Sequence, residues 1–148
     1  MTRLAPHFTL EELTASDTAK AKGIANTPTA AHLANLRVLA LGLEWARSIL
    51  EVPLSVTSGY RNPAVNKAVG GVANSDHAQG FAADIVPLGM PVVPAAWKLA
   101  SSALQFDQII HETSRGIIHL SFAPRMRRQV LTQEGGPGTP VTPGLRKP

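Results

Sequence analysis

The run Phe8-Thr9-Leu10-Glu11-Glu12-Leu13 places a Thr and a Glu three residues apart inside a pair of apolar positions. This is the pattern of a capping box with its hydrophobic staple, and it predicts a short helix beginning at Leu10. Farther along, Leu33, Leu36, Ala40, Leu43, Ala46 and Leu50 recur at steps of three and four residues. That period predicts a helix from about Thr29, just after Pro28, to Leu50, with these residues in the core. Leu54 to Thr57 alternates like a short strand, Ser58-Gly59 breaks it, and Asn62-Pro63 is a cap and first-turn pair for another short helix, ended by Gly70-Gly71. Phe81 to Val86 reads as a buried strand and Val92 to Leu104 as a helix. Residues 106–112 and 116–122 read as the two arms of a hairpin around Thr113-Ser114-Arg115. Together these elements predict an α+β domain, a small antiparallel sheet with helices packed on it.

From about Gln133 the chain changes to Gly-Gly-Pro-Gly-Thr-Pro and finishes in Arg-Lys-Pro, too poor in apolar residues to pack as a core element. The expectation is a domain over residues 1–124 and a basic, flexible tail over 125–148. A chain of 148 residues with 44% apolar content suits one core. No internal repeat is visible. The absence of cysteine excludes disulfides and thiolate metal sites, so a transition metal would have to be held by His, Asp or Glu. The formal charge of +4 favours polyanionic surroundings. Its basic residues are scattered apart from Arg125, Arg127 and Arg128, read as a solvated edge, and the aromatic residues are few. A nucleic-acid partner is therefore not expected. No stretch long and apolar enough for a signal peptide or a membrane span is seen.

The chemistry concentrates in Ser75-Asp76-His77-Ala78-Gln79-Gly80-Phe81-Ala82-Ala83-Asp84. On one continuous helix His77 and Asp84 would stand about 10 Å apart along the axis, too far to share one metal ion. A turn must bring them together, and Gly80 has the backbone freedom for it. Asp84 lies in an apolar strand, where a carboxylate is costly unless paired or metal-bound; its non-metal reading is an ion pair with Arg61. His119, within Gly-Ile-Ile-His-Leu-Ser-Phe, is a third candidate ligand on a rigid strand. Two His and one carboxylate leave a coordination position open, as in catalytic rather than structural zinc sites. His7 and His32 carry no partner signal.

The stretch Ser75 to Asp84 completes the S-x-H-x-x-G-x-A-x-D pattern of the zinc D-alanyl-D-alanine carboxypeptidases and their phage endolysin relatives, within the wider group of lysostaphin-type enzymes and hedgehog domains. Ser58-Gly59-Tyr60-Arg61-Asn62-Pro63, Val69-Gly70-Gly71, Phe106-Asp107-Gln108-Ile109-Ile110 and the late His119 extend the resemblance to roughly residues 7 to 123. It implies a hedgehog-like fold, one zinc ion on His77, Asp84 and His119, and hydrolysis of peptidoglycan stem peptides. Arg61 stands where the family places a substrate-binding arginine, suited to grip a carboxylate or polarise a carbonyl, and Ser75 would help orient substrate. The bland readings are a turn-surface arginine and a turn-capping serine.

Many relatives carry an acid three positions before the last histidine, where this chain has Gly116. With a two-residue turn at Ser114-Arg115, Glu112 pairs with Ile117 and Ile110 with His119, which puts Glu112 and His119 on one face. Glu112 is then the expected general base. A slip of one residue would instead put Asp107 and His111 on that face. The implied protein is a monomeric hydrolase made in the cytoplasm of a producing cell and acting on the wall after release, in phage-type lysis. The competing expectation is a non-catalytic, zinc-containing wall-binding or phage structural module on the same fold.

Overall fold

The computed structural model describes residues 1–148. The chain opens with β1 (Arg3–Ala5) and β2 (Phe8–Thr9), a small antiparallel pair, and β2 runs directly into α1 (Leu10–Thr14). The Thr9 hydroxyl accepts the Glu12 N–H at 3.1 Å, the N-cap half of the capping box, and both Phe8 and Leu13 are buried, as the staple requires. A helix that the sequence did not announce, α2 (Asp17–Lys22), follows behind Ser16 and ends at Gly23 in the left-handed conformation. Then α3 (Ala30–Leu50) begins behind its cap Thr29 and matches the expected span. Leu36, Ala40, Leu43, Ala46 and Leu50 are buried along it, joined by Leu39, while Leu33 is half-buried.

The remainder of the chain is β3 (Leu54–Ser58), α4 (Pro63–Ala68), α5 (Asp76–Gln79), β4 (Ala82–Pro87), α6 (Val92–Ala100), β5 (Gln108–Glu112), β6 (Ile117–Ser121), β7 (Gln129–Gln133) and β8 (Val141–Pro143). Helix α6 stops short of the expected Leu104. The Ser102 hydroxyl donates to the Leu99 carbonyl at 2.6 Å and accepts from the Leu104 N–H at 3.1 Å, so it replaces the next helical turn with a local one.

Six strands form one sheet in the order β3-β4-β6-β5-β7-β8, antiparallel throughout except for the parallel β5–β7 pair. Alternation along the strands separates the two faces. Ile85, Ile109, Ile118 and Leu120 face the core beneath α3 and α6, whereas Asp84, Ile110, Glu112 and His119 belong to the opposite face. One face is thus the hydrophobic core and the other is free to carry chemistry.

Residues 125–148 correct the expectation of a flexible tail. Residues 129–133 pair in register with 108–112, and 141–143 then pair back on β7. Arg125, Arg127 and Arg128 are exposed, as a solvated edge would be, but each is also bonded to the fold. Arg127 binds Asp107 through its backbone N–H at 3.1 Å and its guanidinium at 2.9 Å; Arg128 donates to the carbonyls of Leu104 and Ala100 and lies over the Phe106 ring. Arg125 bridges Asp76 and Asp107, at 2.6 and 3.2 Å. These contacts fasten the chain that leads into β7. No helix is long and apolar enough to cross a membrane.

Candidate metal centre and substrate cleft

Helix α5 is a single turn. Its cap, Ser75, accepts the His77 N–H at 3.2 Å, and Gly80 ends it at φ +81 with N–H groups satisfied by Asp76 and His77 carbonyls. A Cβ at Gly80 would stand 2.9 Å from the His32 carbonyl oxygen, so the position requires glycine for both its torsion and its space. This turn folds His77 back over β4, as the spacing of His77 and Asp84 demanded. The Nδ1 of His77 lies 2.8 Å from the carbonyl oxygen of Gly59. A carbonyl only accepts, so Nδ1 carries the proton and Nε2 presents its lone pair to the site.

Asp84 on β4 is directly opposite His119 on β6. His77 Nε2 is 3.1 Å from Asp84 Oδ1 and 3.2 Å from His119 Nδ1, and His119 Nδ1 is 3.3 Å from Asp84 Oδ1. Ligands about 2.0–2.1 Å from a tetrahedral zinc ion stand roughly 3.3–3.4 Å apart, so the three atoms approximate one face of that tetrahedron. They are the only cluster of this kind in the chain. Burial raises the Asp84 carboxyl, but the neighbouring His77 and His119 overcome it and hold the group well below the usual carboxylate range.

The hairpin register is as anticipated, Glu112 opposite Ile117 and Ile110 opposite His119, so Glu112 shares the face of the triad. The turn differs. It spans the four residues Thr113 to Gly116, closed by the Gly116 N–H on the Glu112 carbonyl at 2.9 Å with Gly116 at φ +64. Thr113 does not pair with Gly116 because its N–H is taken by Gln133 of β7 at 2.9 Å. The left-handed torsion at Gly116 disfavours any side chain there, which accounts for the missing acid. Asp107 and His111 are not on this face. Asp107 is buried in its arginine pair and His111 points the other way, with its imidazole held below its usual value by burial and by Arg146.

Arg115 escaped the sequence reading. Its guanidinium reaches into the site, bonded to Glu112 and 3.4 Å from Asp84 Oδ2. Nothing in a Thr-Ser-Arg-Gly turn announces that direction. Burial opposes the Arg115 charge, but the two carboxylates raise its pKa. Arg61 lies across the site. Burial lowers its pKa and Arg115 adds to this, against the attraction of Asp84 and Glu112. Its Nε is buried without a hydrogen-bond partner. Behind it, Asn26 bonds the Thr14 and Tyr60 carbonyls and accepts the Asn62 N–H, fixing the loop that carries Arg61. His32 and His7 have partners after all: the Tyr60 hydroxyl at 2.9 Å, and Glu44. A cleft of about 360 Å³ unites Arg61, Ser75, His77, Glu112, Arg115 and His119.

An α+β fold with a His/Asp/His cluster in a polar cleft is the architecture of a metallohydrolase. The family model for Peptidase M15 matches residues 6–121, and the chain belongs to that family of zinc-dependent peptidases. Comparison with curated proteins gives no match.

Proposed function

We propose that the chain hydrolyses peptide bonds in the stem peptides of bacterial peptidoglycan, with one zinc ion held by His77 Nε2, Asp84 Oδ1 and His119 Nδ1. The observation that carries the reading is the near-tetrahedral spacing of those three atoms beside a carboxylate, Glu112, on the same sheet face. When bound, zinc supplies Lewis-acid polarisation of the scissile carbonyl and acidifies water. Glu112 takes a proton from the attacking water and delivers it to the leaving amine. Arg115 holds the Glu112 carboxylate in place. Arg61, whose buried Nε has no protein partner, binds a substrate carboxylate. The Ser75 hydroxyl accepts from His77 and keeps its own proton to donate to substrate.

Peptidoglycan is proposed from the complete Ser75 to Asp84 pattern and from Arg61. Both a terminal D-alanyl-D-alanine bond and an L-alanyl-D-glutamate bond would bring a carboxylate near that arginine, and the setting is phage-type lysis, acting on the wall. The zinc-loaded wild type should release new amine groups from purified peptidoglycan, and chelator should stop it. Glu112→Gln should lower the rate by about 10²–10⁴-fold while zinc remains bound. Zinc binding with no chelator-sensitive release would instead favour the structural-module reading.

A further inference from the structure

The floor of the cleft does not end at the triad. Gln133 at the end of β7 lies beside Glu112 in the parallel β5–β7 register, and Gln133, Pro137 and Gly138 line the same cleft as His77 and His119. All three lie beyond residue 121, where the family match stops. The segment is held in shape from several directions. Ser114 Oγ donates to the Gly135 carbonyl at 3.0 Å, Gln133 Nε2 donates to the Thr139 carbonyl at 2.8 Å, and Arg146 Nε bonds Glu134 at 3.1 Å. With Nε2 committed, the Oε1 of Gln133 is left to accept from a ligand. A Cβ at Gly138 would meet nothing within 4 Å, so the wall faces open space.

We infer that the Gln133–Gly138 segment is a second substrate-recognition surface, on the opposite side of the triad from Arg61, that binds the backbone of an oligopeptide and selects it over a dipeptide. The inference rests on reading this site as a peptidase. Arg61 follows β3 at one end of the strand order, and Gln133 ends β7, beyond β4, β6 and β5. From β4 to β7 is three strand spacings, about 14 Å, which is the length of roughly four residues of extended peptide. A dipeptide held at Arg61 and the triad would leave this far wall untouched. A longer stem peptide would reach it and offer an amide N–H to Gln133.

The test is calorimetric binding of two probes, N-acetyl-D-alanyl-D-alanine and the peptidoglycan stem pentapeptide, to the zinc-loaded full chain carrying Glu112→Gln. Adding Pro137→Trp, a change at an exposed position that fills the wall, should weaken the pentapeptide about tenfold or more and leave the dipeptide within about twofold. Gln133→Ala should weaken the pentapeptide about fivefold with the same selectivity. Unchanged affinities, equal weakening of both probes, or no pentapeptide binding at all would each overturn the proposal. Length-selective binding without turnover by the wild type would sink the peptidase reading and leave the recognition surface standing.

Discussion

The orientation of His77 depends on three neighbours that never touch a metal. The Gly59 carbonyl fixes its tautomer, the Ser75 hydroxyl caps its N–H, and Gly80 turns the chain so that Nε2 faces Asp84. Gly59 itself is packed so closely that a Cβ would stand 2.4 Å from the Leu13 carbonyl oxygen. Gly80→Ala should therefore destabilise the fold by about 1–2 kcal/mol from the left-handed torsion alone, with a further loss because the new methyl meets the His32 carbonyl. Zinc affinity should fall as well. Urea unfolding with and without zinc checks this, and an unchanged midpoint would contradict the role given to the turn. At this scale the sequence was informative wherever function needs residue types at fixed local spacing, as from Ser75 to Asp84. Arg115 was illegible because its entry into the site is set by the conformation of the whole 113–116 turn and by the carboxylates of Glu112 and Asp84, not by a local residue pattern.

Among the elements, the hairpin register was readable because both a two-residue and a four-residue turn keep Glu112 opposite Ile117. Strand β7 was not. It buries the adjacent Leu131 and Thr132 instead of alternating, and it is added to the sheet edge by arginines whose acidic partner lies some 20 residues earlier. Asp107 is the centre of that attachment. Burial raises its carboxyl, but hydrogen bonds and charge from Arg127, then the charge of Arg125, leave it below the ordinary value. A folded-state pKa below the unfolded value of about 3.9 gives stability that is present above that value and lost as pH falls through the folded one. Asp107→Asn should cost about 1–3 kcal/mol near neutral pH. It should also flatten the loss of stability below about pH 4. Thermal melts across that range decide it, and a variant whose acid limb runs parallel to the wild type would contradict the pairing.

For the whole molecule, one sheet serves two purposes: its inner face seals the core under α3 and α6, and its outer face lines up Asp84, His119 and Glu112 on neighbouring strands. Part of the layering was legible, since the hairpin pairing alone placed Glu112 and His119 on one face. The extent of the cleft was not, because its far wall comes from a Gly/Pro-rich segment whose order is supplied by hydrogen bonds to distant residues. Of the fourteen Lys and Arg residues, Arg115, Arg125, Arg127 and Arg146 are paired to carboxylates of the fold. The claim on which every other rests is that His77, Asp84 and His119 hold one zinc ion. Titration of zinc into metal-stripped protein, followed by calorimetry, should give one site per chain in the wild type and lose that site in His119→Ala with the fold retained by circular dichroism. A folded His119→Ala variant that binds one zinc ion with wild-type affinity would contradict the account.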